Sequence, residues 1–455
     1  MRNAAGTTVN IIGAGLAGAL LALLLARRGF AVTLYERRPD PRQTRPERGR
    51  SINLALAARG IRALERARVM ERVWPLAIAM RGRMVHERSG AAALQPYGQR
   101  EHEVIYSVGR ADLNRVLIEE ALRHANVAVR FNQQCLGVDA GGNRLRLCDG
   151  ASRKQYELEL APAIATDGAG SAVRASLAAA GLVTVREQWL DHDYKELTVP
   201  PRDGAPALER HALHIWPRGG FMLIALPNAD ATFTATLFLE RTGAAGFAAL
   251  DGGAAVEKFF AAEFPDAVPL LPRLVTEFKH HPQGQLGTVH TAPWHVEGKL
   301  LLLGDAAHAI VPFHGQGMNA AFEDCRVFDE LLDRHDDWER LFADFERARR
   351  PNTEAIAQMA LENYVEMRVT VLDARFVRLK GLAMALERRF PDRFIPRYSM
   401  VMFHPEIPYA EALRRGAVQA QLLDELDRGA GAAADAGPDP GRAEQLIRER
   451  LAPIV

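Results

Sequence analysis

The sequence predicts an α/β protein: a Rossmann-like dinucleotide-binding domain, an inserted mixed β-sheet domain, and a C-terminal helical region. Three observations predict it. The chain opens on a strand, a glycine loop, a helix and a second strand. A second apolar strand, Leu301 to Leu303, ends in Gly304-Asp305 and runs on to a glycine pair and another helix. Between them, from about Tyr194 to Val289, apolar runs alternate with turn clusters. A βαβ unit at the start argues for a parallel sheet with covering helices, and the later runs argue for a separate sheet.

The elements follow in order. Val9 to Ile12 is the first strand, Leu16 to Arg28 the first helix, and Ala31 to Tyr35 the second strand. Arg59 to Arg68 and Leu113 to His124 read as helices. Val127 to Phe131 and Arg144 to Cys148 read as strands, with a turn at Asp139 to Asn143, and Ala163 to Thr166 is a further strand. Ala212 to Trp216, Phe221 to Leu226 and Phe233 to Leu239 form the inserted sheet, broken by Pro217-Arg218-Gly219-Gly220 and Pro227-Asn228-Ala229-Asp230. The nucleotide fold resumes at Lys299 to Leu303. After Pro351 the text is helical: Glu354 to Leu372, Phe376 to Arg389 and Pro408 to Arg428. Gly429 to Gly441 is rich in Ala, Gly, Asp and Pro and reads as a flexible linker. In 442–451, Ala443, Leu446, Ile447 and Leu451 share one face of a short helix, which could dock on this chain or on a second subunit. That leaves a homodimer open. The chain of 455 residues is accordingly divided into a discontinuous nucleotide domain (1–72, 106–176 and 285–346), a substrate domain (73–105 and 177–284), a helical region (347–428), and a linker with its terminal helix (429–455).

Composition excludes several classes. With 48% hydrophobic and 25% charged residues the chain is ordinary for a soluble globular protein. A net charge of +1 gives no general attraction to nucleic acid, and the basic run Arg45 to Arg50 is broken by Glu47. The three cysteines, Cys135, Cys148 and Cys325, form no CxxC pair and no disulfide framework, which suits a reducing, cytoplasmic setting. No His, Cys, Asp and Glu cluster has metal-ligand spacing, so no metal is expected. The apolar run Leu16 to Ala26 is too short to span a bilayer, and Arg448, Glu449 and Arg450 make the C-terminal segment too polar to insert, so no membrane anchor is expected.

Gly13-Ala14-Gly15-Leu16-Ala17-Gly18 is a GxGxxG loop, with Glu36 eighteen residues past Gly18 at the end of the second strand. Gly13 permits the turn, Gly15 lets backbone N–H groups approach a pyrophosphate, and Gly18 lets helix pack on strand. The helix N-terminus attracts phosphate. Glu36 would accept from the adenosine ribose hydroxyls and disfavours a 2′-phosphate, which points to FAD or NAD here. The second motif chooses between them. Asp305 can accept from ribityl hydroxyls. Gly315 and Gly317 leave backbone N–H groups bare before a helix near Met318, which suits the N1–C2=O edge of a reduced flavin. NAD needs only the first motif, whereas the pair implies FAD.

Gly304-Asp305-Ala306-Ala307-His308, followed by Pro312 to Asp324, resembles the single-component flavin-dependent aromatic hydroxylases, and within them the kynurenine 3-monooxygenases. Further stretches carry the likeness: Gly49 to Leu56, Met80 to His86, Gln95 to Gly98, Tyr194 to Leu197, His214 to Gly219, Phe221 to Asn228 and Glu362-Asn363-Tyr364. It covers about Val9 to Glu406. The resemblance implies hydroxylation of L-kynurenine to 3-hydroxy-L-kynurenine with FAD, NADPH and O2 through a flavin C4a-hydroperoxide, in tryptophan degradation. It reads Asp167-Gly168-Ala169-Gly170 with Arg174 as the Asp-Gly fingerprint associated with FAD and the pyridine nucleotide. With no second complete βαβ fingerprint, NADPH would dock transiently as a co-substrate. The resemblance extends the cofactor site to Leu16, Ala17, Arg37, Arg38, Ala55, Arg110, Met318 and Asn319. It maps the substrate carboxylate onto Arg83 and Tyr97, and other substrate contacts onto Asn363, Tyr398 and His314. Asn363 has support of its own, because Ile356, Met359, Ala360 and Met367 share its helical face, and a buried amide there needs a partner. His308 reads as structural. No catalytic acid or base is expected, since the flavin would carry the chemistry. Competing readings are a sister hydroxylase acting on another anthranilate-like ring, a flavin-dependent halogenase, against which the absence of a WxWxIP stretch counts, and a non-catalytic flavin-binding partner.

Overall fold

The computed structural model describes residues 6–44, 53–160, 162–370, 373–429 and 440–454. The expected basic run Arg45 to Arg50, the stretch Gly49 to Ile52, Leu372, and linker positions 430–439 lie outside the described residues.

The nucleotide half is built on a six-stranded sheet in the order β18-β19-β12-β1-β2-β8. Its strands are β1 (Thr8–Ile12), β2 (Ala31–Tyr35), β8 (Val127–Arg130), β12 (Ala163–Ala165), β18 (His295–Val296) and β19 (Leu300–Leu302). All pairs are parallel except the edge pair β18/β19. Helix α1 (Leu16–Arg27) is apolar nearly all round, and Gly18 to Ala26 are all buried, as expected of a helix enclosed by a sheet and other helices. Beside it lie α2 (Ala58–Arg66), α3 (Met70–Val73), α4 (Arg110–Leu122), α5 (Ala172–Ala179), and the antiparallel ribbon β9 (Gln133–Asp139), β10 (Arg144–Asp149), β11 (Gln155–Glu159). A small sheet, β3 (Asn53–Leu56), β7 (Ile105–Gly109), β4 (Ile78–Met80), bridges toward the second half.

The second half is a seven-stranded mixed sheet in the order β17-β13-β16-β15-β14-β5-β6. Its strands are β5 (Gly82–His86), β6 (Ala92–Pro96), β13 (Thr184–Val199), β14 (Ala212–Pro217), β15 (Met222–Pro227), β16 (Phe233–Glu240) and β17 (Gln283–Ala292). Only β5 and β14 pair in parallel. The two-residue period sorts its side chains. Leu223, Ala225, Phe233, Ala235 and Leu237 join Trp216, Phe260, Phe264 and Phe278 beneath α6 (Gly253–Glu263) and α7 (Leu274–His280). The alternate residues Ile224, Leu226, Thr234, Thr236 and Phe238 line a cavity on the opposite face.

The cavity is closed from the last third of the chain, which holds α8 (Asp305–His308), α9 (Gly317–Leu331), α10 (Trp338–Arg368), α11 (Ala374–Arg389), α12 (Arg397–Phe403) and α13 (Tyr409–Gly429). Pro312 to Gly315, Met367 of α10, and Tyr398 and Met402 of α12 line it. The sequence places a helix start after Pro351. Instead α10 runs straight through that proline. Proline costs one backbone hydrogen bond and crowds the turn before it. Here both flanks are anchored in the core, by Phe342 and Phe345 on one side and Ile356, Met359 and Ala360 on the other. Helix α14 (Pro440–Arg450) docks on this chain: Ala443, Leu446, Ile447 and Leu451 pack with Leu386, Phe390, Phe394 and Leu422.

Candidate active site

Two regions carry the predicted side chains, and they meet at one loop. The first lies at the C-terminal ends of three adjacent parallel strands. Gly13 follows β1, Asp167 follows β12 and Asp305 follows β19, so the sheet order alone gathers three motifs distant in sequence. Crevices at such strand ends are where open α/β sheets bind nucleotides. Gly13 has φ +96°, and a Cβ there would lie 2.7 Å from Thr166 O. A Cβ on Gly18 would lie 2.0 Å from Gly13 O, so both glycines are required by close approach. A Cβ on Gly15 would meet nothing within 4 Å, and Gly15 opens α1 with no side-chain cap. That is an open, uncapped helix N-terminus of the kind that receives phosphate. The Glu36 carboxylate accepts from Ala14 N at 2.8 Å and from Arg38 N at 3.0 Å, which fixes it beside the loop. Leu16 and Ala17 form the first turn of α1, Arg37 and Arg38 are exposed beyond Glu36, and Arg110 is exposed at the first turn of α4.

The two nucleotide motifs touch. A Cβ on Gly304 would lie 3.6 Å from the Ala17 Cβ and 3.2 Å from the Ala321 Cβ. Asp305 opens the short helix α8 rather than ending the strand, because Gly304 turns the chain with φ +63°. Arg174 ties the third motif to the second: it donates to Ala306 O at 2.9 Å and also to Ala169 O. Asp167 accepts from Val173 N through Oδ2, while its Oδ1 is buried with no hydrogen-bond partner among the described residues. Burial pushes its carboxyl pKa up.

The Gly315 loop follows. Gly315 is left-handed, φ +66°, and a Cβ would sit 2.9 Å from that of Ala55. Helix α9 then begins at Gly317, with Met318 and Asn319 in its first turn and no side-chain cap. The Asn319 side chain is consumed by the scaffold: it accepts from Ala57 N at 2.9 Å and donates to Ala55 O and Gly315 O at 2.8 Å. What Asn319 offers a ligand is therefore its backbone N–H.

Beneath this loop lies a buried ion network that sequence reasoning missed. Asp324 accepts from Gly304 N at 3.2 Å, His308 at 2.6 Å and Arg349 at 2.6 Å. Glu323 pairs with Arg349 at 2.6 Å and Arg59 at 2.9 Å. The cations hold both carboxyl pKa values below the usual range although burial opposes them. His308 is structural, as expected.

The second region is the cavity itself, about 100 Å³, between the Gly315 loop and the seven-stranded sheet. Four of the five predicted substrate residues, Arg83, Tyr97, His314 and Tyr398, line it directly. They also wall it off from an outer cavity of about 650 Å³ among α10 to α13. Asn363 lines the outer cavity and is linked to the inner wall, donating to Phe313 O at 2.6 Å and accepting from Arg83 at 3.4 Å. Arg83 is 6% exposed and pairs with Glu366 at 3.0 Å. Its guanidinium lies 5.2 Å from the Tyr398 ring and 5.9 Å from the Tyr97 ring. Burial works against its charge, but Tyr398 and Glu366 more than offset that, and its pKa is raised. Tyr97 stacks on Tyr398, and Tyr398 on His314, at 5.6 and 5.4 Å between centroids. Burial pushes the Tyr97 hydroxyl up to about 12 and the His314 imidazole down to about 3. These four side chains therefore present one fixed cation, two neutral phenols and a neutral imidazole.

Glu366 was also missed, although it sits three residues from Asn363 on the same helix face, a spacing that could have flagged it. Asn53, Tyr194, Met367 and Met402 also line the inner cavity, and only the fold brings them there.

A family model described as FAD binding domain matches residues 6–358. The chain is 50% identical over 420 residues to a kynurenine 3-monooxygenase of Stenotrophomonas maltophilia (strain K279a), covering 92% of each chain. It is 46% identical over 456 residues to a kynurenine 3-monooxygenase of Myxococcus xanthus (strain DK1622), covering 100% of this chain and 98% of that one. Among solved structures it resembles the tetrameric form of 2-methyl-3-hydroxypyridine-5-carboxylic acid oxygenase, with a TM-score of 0.64 at 19% identity, covering 80% of this chain and 92% of that one. It also resembles Pseudomonas aeruginosa PqsL in complex with 2-aminobenzoylacetate, with a TM-score of 0.64 at 21% identity, covering 80% and 96%. At these identities the structural likeness is one of fold.

Proposed function

Because the chain belongs to the kynurenine 3-monooxygenase family, we propose that it binds FAD and uses NADPH and O2 to convert L-kynurenine into 3-hydroxy-L-kynurenine, as a cytoplasmic enzyme of tryptophan degradation. One oxygen atom enters the ring C–H bond ortho to the amine, the other leaves as water, and NADPH supplies the two electrons. The observation that carries the reading is the small apolar cavity with a buried arginine in one wall and the Gly315 loop in another.

The residues fit FAD. The uncapped end of α1 and open Gly15 would take the pyrophosphate, Glu36 the adenosine ribose, Asp305 the ribityl chain, and the first turn of α9 the pyrimidine edge of the ring. The unpartnered Asp167 Oδ1 at the same strand ends is a further acceptor. Bound FAD supplies the redox chemistry and the activation of oxygen. The chain's own groups do the rest. Arg83 would receive the substrate carboxylate, with Tyr97 as a neutral donor, releasing or sharing Glu366 as it does so. Asn363 braces the Arg83 fork and the Phe313 carbonyl at once. Ile224, Leu226, Phe238 and Phe313 would hold the aromatic ring and exclude water. The neutral His314 offers an unpartnered buried Nδ1 to the ring amine or ketone. The reading keeps the division into FAD-binding segments 1–72, 106–176 and 285–346 and substrate segments 73–105 and 177–284.

The test is anaerobic reduction of the bound flavin by NADPH, with and without L-kynurenine, followed by mass spectrometry of aerobic turnover. Substrate-accelerated reduction and a product heavier by one oxygen are expected. NADPH oxidation that yields only peroxide in the presence of L-kynurenine defeats the proposal.

A further inference from the structure

Gln316 separates the two glycines of the flavin loop, yet its side chain points away from any solvent. It is fully buried, and its Oε1 accepts from the Tyr409 hydroxyl at 2.6 Å while its Nε2 donates to the Met402 sulfur. Tyr409 opens α13 and is itself fully buried. Its ring is covered by the Arg59 guanidinium, 3.9 Å from the centroid. Arg59 in turn donates to Glu323 of α9 and to the carbonyls of Ile407 and His404 just before Tyr409. Burial pushes the Tyr409 hydroxyl up, so it stays protonated and donates. The loop thus hangs on a contact made by the C-terminal helical region, with an arginine fixing both partners' elements. The Gln316 backbone carbonyl accepts from Ala320 N at 2.8 Å, so the residue whose side chain Tyr409 holds also opens the hydrogen-bond ladder of α9.

We propose that the Tyr409–Gln316 hydrogen bond is a positioning contact for the flavin: through it the C-terminal helical region holds the backbone N–H groups at the start of α9 against the pyrimidine edge of the ring. Tyr409 is a positioning residue, not a catalytic one, since it lines neither cavity. The proposal rests on the FAD reading above. An N–H donor aimed at that edge favours the reduced ring, where negative charge gathers. Loosening the contact therefore weakens binding of reduced flavin more than of oxidised flavin, and the midpoint potential falls.

The test uses the full-length holoenzyme and the variants Tyr409→Phe, Gln316→Leu and the two combined. Wild-type protein is titrated with FAD first, and failure to bind FAD there defeats the cofactor reading rather than this contact. In Tyr409→Phe, a buried acceptor loses its donor, and FAD affinity should fall roughly ten-fold. A ten-fold selective loss of reduced flavin corresponds to a midpoint potential about 30 mV lower. Gln316→Leu carries the same expectation if Tyr409→Phe does not fold. The double variant separates positioning from plain stability, because replacing both partners by apolar groups removes the unpaired atom. Its melting temperature should recover toward wild type while its midpoint potential stays low. A wild-type potential in either single variant, or recovery of the potential together with stability in the double variant, overturns the proposal.

Discussion

Replacing Arg83 by alanine should uncouple substrate binding from cofactor binding. The side chain is 6% exposed, and among the described residues lining the inner cavity it is the only arginine or lysine. Removing one partner of a buried charge pair costs about 2–5 kcal/mol. The upper part of that range applies when the abandoned partner is stranded without water. Here the abandoned partner is the substrate carboxylate, held at the wall that also borders the outer cavity, where Glu366 keeps a side chain 28% exposed, so water can reach it. The loss should therefore fall at about 2–3 kcal/mol, or roughly a 30- to 150-fold rise in the dissociation constant of L-kynurenine. Arg83→Lys keeps the charge but loses the planar fork that also reaches Asn363, and should lose about ten-fold. The assay is titration of the FAD-bound protein with L-kynurenine, followed by flavin absorbance, beside a separate FAD titration. FAD affinity should be unchanged in both variants, since Arg83 donates to Glu366 and Asn363 and, among the described residues, not to the nucleotide motifs. Kynurenine affinity within two-fold of wild type in Arg83→Ala would remove Arg83 from the substrate site.

Gly315→Ala forces a left-handed residue to carry a Cβ 2.9 Å from that of Ala55. A cost of about 1–2 kcal/mol for the conformation alone should weaken FAD by about ten-fold, and an unchanged FAD titration would show that the loop does not face the flavin. Arg349→Met leaves Glu323 to Arg59 and Asp324 to His308 and Gly304 N, two carboxylates 5% and 0% exposed that have each lost a buried cation, so unfolding in urea should reveal a loss of about 3–5 kcal/mol. A midpoint shift equivalent to less than about 1 kcal/mol would contradict an ion network that supports the fold. His314 is neutral in the fold with a pKa near 3, against ~6.5 when unfolded, so the unfolded chain takes up the proton first. Stability is lost as pH falls below ~6.5 and the loss levels off near 3, with a ceiling of about 4–5 kcal/mol, and His314→Phe should flatten that acid limb in denaturation measured from pH 7 to 4.

The nucleotide half was legible because its signals are local. Gly13 and Gly18 answer to contacts a few residues or one strand away, Gly15 leaves the start of α1 open, and Glu36 lies at the end of the next strand. The inserted sheet was legible in part: β14, β15 and β16 are apolar runs bounded by turn clusters, whereas β5, from far upstream, pairs with β14 across more than a hundred residues and brings β6 with it. The break placed at Pro351 failed because propensity is local and the packing that overrides it is not. Arg83, Tyr97 and Tyr398 were found only through family likeness, since nothing in their neighbourhoods distinguishes them. Arg59, Glu323, Asp324 and Arg349 look like ordinary helix-surface charges until the fold buries them together.

The protonation states in the inner cavity limit what the chain itself can contribute. His314 titrates near 3, Tyr97 near 12, Tyr398 is pushed well above the usual phenol range, and Arg83 stays charged. None of these four exchanges a proton between pH 5 and 9, so none is poised as a general acid or base. An ortho-amino group already activates the ring carbon next to it, so the proposed reaction needs no phenol to be deprotonated. What it needs is a ring held in one orientation, a dry slot and a correctly placed flavin. The inner cavity and the Gly315 loop answer those needs from different parts of the sequence, with Tyr398 and Met402 on α12 reaching the cavity and Tyr409 on α13 reaching the loop. A single C-terminal helical unit thus touches both the cavity and the loop, the proposed sites of substrate and flavin, and Met402 of α12 joins them by lining the cavity and accepting from Gln316.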